Sequence, residues 1–275
     1  MSEGPEPVSV RLRRPGRGAD PLRVLLLHGL AGGANVWDAH LEHTTGSPLE
    51  IWTAELPWRA EEVPGWTGHS PAHWTEQAMR RVPGGPDVVM AHSFGANALL
   101  ALLDAQSVLS TPEDDLLRPR AVVLVSPFYR PRPEAFDWDA IAYYLNDFDR
   151  ILADGLRVRS GGRLPAGLRQ EMARKVRDRI GPYGWVSFFD TYLRTPALRT
   201  DRMTMPCLII GGAEDFASFP VDSEALRSAL PYAKAEILPD CGHFAMVEQA
   251  AEFAVLTEEF IQSVAPRPLR SHPNR

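Results

Sequence analysis

The chain has 275 residues, 44% hydrophobic and 23% charged, a globular balance that excludes disorder and collagen-like repetition. A chain this long buries most of its apolar surface without disulfides or a structural metal. Acidic residues outnumber basic ones 35 to 29, a net charge of -6, whereas general nucleic-acid binding needs a basic excess. Of the 29 basic residues only Lys175 and Lys234 are lysine, a skew expected of a GC-rich bacterial genome. The 25 prolines are about 9% of the chain, against a typical ~5%. Cys207 and Cys241 form neither a disulfide framework nor a metal-ligand pattern, which points to a reducing, cytoplasmic setting.

In chain order, 8–14 (VSVRLRR) alternates like an antiparallel edge strand. Arg13 and Arg14 faintly echo a twin-arginine signal, but the apolar run 24–27 breaks at His28-Gly29, too short for a signal core. Nothing approaches the ~20 apolar residues of a membrane span. The runs 22–27 (LRVLLL), 49–54 (LEIWTA), 87–91 (DVVMA), 121–125 (AVVLV), 207–210 (CLII) and 235–238 (AEIL) read as strands. Most are continuously apolar, as strands covered on both faces of a parallel sheet must be. Helical patterns occupy 34–44, 70–82, 94–105, 223–230 and 249–264. Strand–helix alternation predicts an open, mostly parallel α/β sheet flanked by helices.

Between Phe128 and Met203 no strand is expected, only helices and loops. Leu168, Met172, Val176 and Ile180 recur every four residues, the stripe of an amphipathic helix. At about 75 residues this insertion is too long for an ordinary connection and reads as a helical cap. The expected organisation is a core of residues 8–127 and 204–264, a cap over 128–203, and flexible tails at 1–7 and 265–275.

Chemistry concentrates at strand ends. Ala91-His92-Ser93-Phe94-Gly95-Ala96 joins a strand to a helix, with small residues two before and two after the serine. A sharp strand-to-helix turn crowds those positions and lifts the hydroxyl above the sheet. An N-cap serine in any crossover would look alike locally. However, His28-Gly29-Leu30-Ala31-Gly32-Gly33, Gly212-Ala213-Glu214-Asp215 and Asp240-Cys241-Gly242-His243-Phe244 also follow strands. Ser93, Asp215 and His243 thus fall where open α/β sheets build their sites, in the order Ser, Asp, His.

On these residues, with Trp37, Leu56-Pro57 and Met246-Val247-Glu248, the chain resembles the α/β-hydrolase superfamily over about 8–264. Ala91 replaces the first glycine of the usual Gly-x-Ser-x-Gly, and Trp58-Arg59-Ala60 replaces a usual Gly-x-Gly turn, so that loop is expected to be reshaped. The resemblance implies the α/β-hydrolase fold with a helical cap inserted after the family's sixth-strand position. It implies Ser93 as nucleophile, His243 as base then acid, and Asp215 as orienting carboxylate. The backbone N–H groups of Leu30 and Phe94 would form the oxyanion hole. Serine rather than aspartate as nucleophile argues against the haloalkane dehalogenase and epoxide hydrolase relatives.

The implied activity is hydrolysis of a carboxylic ester or thioester through an acyl-enzyme. Acyl transfer, cyclisation or C–C hydrolysis on the same triad stays open, as does a non-hydrolytic ligand-binding role. Glu214 is the alternative acid, and His28 and His92 read as structural hydrogen bonders. His40, Glu42 and His43 read as helix-face polarity without further ligands, so no metal is expected. Gly29, Gly32 and Gly33 lack G-x-G-x-x-G spacing and there is no P-loop, so no cofactor is expected either.

Trp52, Trp58, Trp66 and Trp74 read as core or loop packing or, alternatively, as an apolar wall of the acyl pocket; with an aromatic cap, the second reading implies a bulky, largely apolar substrate. His28, Trp58, Phe128, Trp138, Tyr144, Trp185 and Phe244 are the expected pocket residues. The cap arginines, among them Arg150, Arg157, Arg159, Arg169, Arg174 and Arg177, read as a solvated face. Their alternative reading is a docking surface for an acyl carrier protein or a coenzyme A phosphate.

Overall fold

In the computed structural model, which describes residues 6–59, 63, 65–108 and 117–264, the apolar runs become seven strands. These are β1 (Ser9–Arg14), β2 (Arg23–Leu27), β3 (Glu50–Glu55), β4 (Val88–His92), β5 (Ala121–Val125), β6 (Cys207–Gly212) and β7 (Ala233–Leu238). They form one sheet in the order β1-β3-β2-β4-β5-β6-β7, antiparallel only at the β1 edge. The expected tails lie outside the described residues, apart from Glu6 and Pro7.

Alternate side chains of each buried strand enter different cores. Leu25, Leu27, Val89, Ala91, Val122, Leu124 and Ile209 pack with α2 (Pro71–Arg80), α3 (Phe94–Gln106) and α7 (Pro220–Ala229). Val24, Leu26, Val88, Met90, Val123 and Ile210 pack with α1 (Asp38–His43), α8 (Ala245–Glu248) and α9 (Ala250–Val264). Helices on both faces explain why these strands tolerate no polar alternation. This is the α/β-hydrolase architecture.

Local chemistry sets several boundaries. Pro71 opens α2, and the Ser70 hydroxyl accepts the His73 N–H at 3.2 Å, a proline start with a capped end. The helix expected at 34–44 divides into a 3-10 turn, Ala34–Trp37, and α1. The one expected at 249–264 is preceded by the four-residue α8, from which non-helical Gln249 (φ −131°, ψ 49°) separates it.

Three helices fill the insertion, which follows the fifth strand in chain order: α4 (Trp138–Asn146), α5 (Phe148–Arg159) and α6 (Ala166–Leu193). Gly181 (φ 67°, ψ 173°) and Pro182 kink α6, because proline lacks the N–H and crowds the preceding turn. The expected stripe is only partly buried: Val176 and Ile180 are covered, whereas Leu168 near the start of α6 is 46% exposed.

A buried polar cluster latches this layer to the core. The Tyr192 hydroxyl on α6 donates to Asp222 Oδ2 (3.1 Å) and accepts from Arg130 Nε (2.8 Å), while Arg130 Nε lies 3.6 Å from Asp222 Oδ1. Burial pushes the Asp222 carboxyl up to about 7, opposed chiefly by the Arg130 charge. Replacing Arg130 by methionine should therefore leave a buried carboxylate without its counter-charge and cost about 3 kcal/mol in urea unfolding. Adding Asp222→Asn should recover part of that loss; a double variant no more stable than Arg130→Met contradicts the pairing.

Candidate active site

Ser93 stands between β4 and α3 with φ 55° and ψ −126°, a backbone state that a residue with a side chain reaches only under strain. Its N–H donates to Val125 O at 2.8 Å, tying the turn to β5. Close packing explains the small neighbours. A Cβ on Gly95 would lie 2.5 Å from His28 O, and one on Gly29 would lie 2.9 Å from Ser93 Cβ. Ala91, two residues before Ser93, is fully buried.

His243 Nε2 is 2.9 Å from Ser93 Oγ, and His243 Nδ1 is 2.8 Å from Asp215 Oδ2. Asp215 Oδ1 accepts the N–H groups of Ala217 (2.8 Å) and Ser218 (2.9 Å), which fixes the plane of the carboxylate. A carboxylate accepting from Nδ1–H leaves Nε2 as an acceptor for the serine hydroxyl. The array can move a proton from Ser93 to His243 while Asp215 holds the ring. Glu214, the alternative acid, is exposed, whereas Asp215 is buried.

Two neutral histidines brace these loops. Leu56 N–H donates to His28 Nε2 at 2.9 Å, so the His28 proton sits on Nδ1 and is donated to Gly29 O at 2.8 Å. Burial lowers the His28 pKa to about 4. His92 Nε2 donates to His243 O at 2.9 Å, and burial holds this imidazole well below its ordinary pKa. Residues that the sequence did not single out also position the loops. Asn97 exchanges two hydrogen bonds with the Phe128 backbone, at 2.7 and 3.0 Å. A Cβ on Gly212 would lie 2.2 Å from both Cys241 O and Gly242 O, beneath the turn that carries His243.

Leu30 N–H donates to nothing among the described residues, while Ala31 N–H bonds Trp58 O and Gly32 N–H bonds Gly29 O. As the first residue of α3, Phe94 presents its N–H ahead of the intrahelical ladder. Leu30, Ser93 and His243 border a narrow cavity of about 60 Å³, walled by Phe128, Phe148, Ile151, Leu152, Phe188 and Phe244.

Of the expected pocket residues, Phe128 and Phe244 line this cavity and the others do not. His28 lies beneath the loop it braces. The Trp58 indole donates to His28 O at 3.3 Å and packs on Phe94 and Trp66, backing the serine helix rather than facing the cavity. Tyr144 is buried with its hydroxyl on Ala217 O (3.0 Å), and Trp185 stacks on Phe189. Trp138, the first residue of α4, is 83% exposed on the side away from the core. Much of the cap's arginine charge is met locally: Arg150 pairs with Asp147, Arg157 with Asp154, and Arg177 with Asp149 and Asp178. Among the described residues no helix is long and apolar enough to cross a membrane.

Sheet order, strand-end placement and the serine turn define an α/β-hydrolase. The sequence profile of the Alpha/beta hydrolase family matches residues 24–256, and the chain belongs to that family. A search of curated proteins finds no sequence match. Among solved structures, MenH from S. aureus is similar with TM-score 0.62 and 14% identity, over 95% of this chain and 100% of that one. Est816, described as an N-acyl homoserine lactone degrading enzyme, gives 0.64 and 17%, over 94% and 98%. A thermophilic esterase from Thermogutta terrifontis gives 0.60 and 21%, over 94% of each chain. At these identities the likeness shows the shared fold.

Gly212→Ala should push the His243 turn away from Ser93 and slow fluorophosphonate labelling of Ser93 by about a hundredfold. Labelling at the unmodified rate contradicts that crowding. Stability should also depend on acid in a defined window. His28 and His40, the latter buried against Phe253 and likewise lowered to about 4 by burial, stay neutral when folded. Between their ordinary value near 6.5 and about 4, the unfolded chain binds more protons. Stability is thus full above that window and falls as pH drops through it, by about 1.4 kcal/mol per pH unit for each imidazole. His40→Leu should flatten the slope by one such contribution in unfolding titrations at stepped pH.

Proposed function

We propose that this protein is a serine hydrolase that cleaves a carboxylic ester or thioester through an acyl-enzyme. The observation that carries the reading is the unbroken chain Ser93 Oγ, His243 Nε2, His243 Nδ1, Asp215 Oδ2, with links of 2.9 and 2.8 Å. A serine hydroxyl is a weak nucleophile until an imidazole takes its proton during attack. In this scheme Ser93 Oγ adds to the substrate carbonyl carbon as its proton passes to His243 Nε2. Asp215 stabilises the imidazolium without taking the proton. The N–H groups of Leu30 and Phe94 receive the oxyanion.

Collapse of the tetrahedral adduct expels the alcohol or thiol, protonated by His243. Water, deprotonated by the same ring, then releases the acid and restores Ser93. The apolar wall over Ser93 supports an acyl or alcohol group that is mostly hydrocarbon. The likeness to an esterase and to a lactone-degrading enzyme supports oxygen esters as the first substrates to try.

Ser93→Ala should abolish both fluorophosphonate labelling and p-nitrophenyl ester turnover, and Asp215→Asn should lower kcat by about 10⁴-fold. Labelling that survives Ser93→Ala eliminates Ser93 as the nucleophile. Intact labelling of the unmodified protein with no turnover of any ester or thioester eliminates hydrolysis of these bonds.

A further inference from the structure

Among the side chains that border the cavity over Ser93, one carries a permanent charge. Arg159, the last residue of α5, lines this cavity together with Phe148, Leu156 and Phe244. Its Nε donates to Gly155 O at 3.3 Å, and among the described residues it has no carboxylate partner. The neighbouring arginine of α5 differs: Arg157 faces Asp154 and Glu248, at 2.7 and 3.9 Å. Arg159 shares this cavity with His92 and Ser93, and burial keeps the His92 ring neutral. Burial alone accounts for the downward shift of the Arg159 pKa; no anion offsets it.

Arg159 is half-buried, and a guanidinium partly withdrawn from water without a counter-ion is costly unless a ligand completes the pair. Its planar fork matches a carboxylate with two parallel hydrogen bonds. Arg150, Arg157 and Arg177, by contrast, pair with acids of their own layer. We infer that Arg159 is a specificity-determining residue that binds a carboxylate carried by the substrate, within the same apolar cavity as the scissile carbonyl. This rests on the reading of the cavity as an ester-hydrolysing site, and narrows its substrate class to esters or thioesters bearing a second, ionised carboxyl group.

The test compares the p-nitrophenyl monoester of adipic acid with its neutral methyl-ester counterpart. The carboxylate substrate should be preferred by about ten- to a hundredfold in kcat/KM, carried mainly by KM. Arg159→Gln should bring that ratio close to one, and Arg159→Lys should keep part of it. In parallel, calorimetry on Ser93→Ala should show hexanoate binding more tightly than hexanamide, a difference lost in Ser93→Ala with Arg159→Gln. Turnover of both esters with no preference, or a preference that survives Arg159→Gln, overturns the carboxylate role and leaves the ester reading standing. No ester turnover, but Arg159-dependent hexanoate binding, supports the carboxylate role and overturns the ester reading. Loss of both overturns both.

Discussion

The constraint on which the site depends is the strained turn at Ser93. A strand buried on both faces delivers its chain into a helix without a loop, and the turn that does so holds Ser93 at φ 55°. That geometry holds because its surroundings over-determine it: β5 takes the Ser93 N–H, the His28 carbonyl closes on Gly95, and Gly29 lies against the serine side chain. Strain of this kind costs of order 1–3 kcal/mol and survives where packing leaves no alternative. The gain is a hydroxyl fixed before any ligand arrives, so orientation need not be achieved during reaction.

Around that turn, buried histidines hold backbone rather than protons. His28 links Leu56 to Gly29, and His92 holds the His243 carbonyl. Each can do so because burial keeps it neutral, with one nitrogen donating and, in His28, the other accepting. Three imidazoles therefore lie within one small region, and only His243 has both a carboxylate and a hydroxyl on its ring. What separates it from His28 and His92 is the partner set rather than the residue type.

Strand positions were legible because apolar runs buried on two faces have no other economical explanation, and motif residues were legible because each follows such a run. The limits of legibility are equally physical. Trp138 and Trp58 share the composition of a pocket residue, but direction decides: one helix start turns Trp138 outward, and Trp58 packs behind Phe94. Spacing predicted a uniform stripe in α6, whereas packing against Phe148 and Ala31 covers Val176 and Ile180 and leaves Leu168 exposed. Arg159 was one of many arginines in the sequence. It becomes distinct because it borders the cavity over Ser93 and, among the described residues, has no carboxylate partner.

The helical layer after β5 and the Asp215–His243 pair are joined through one short loop. The hydroxyls of Tyr143 and Tyr144 on α4 donate to the carbonyls of Phe216 and Ala217, at 2.6 and 3.0 Å. The N–H of Ala217 in turn donates to Asp215 Oδ1. The residue that receives the cap therefore also sets the plane of the carboxylate that orients His243. Arg130, Tyr192 and Asp222 secure the same layer from the next helix. Movement of α4 against the core must then be absorbed in residues 216–217 or passed to Asp215, whose second oxygen has only His243 to follow. The cavity wall itself is drawn from α5 and α6 rather than α4, so α4 bears on the imidazole through residues 216–217 alone among these contacts.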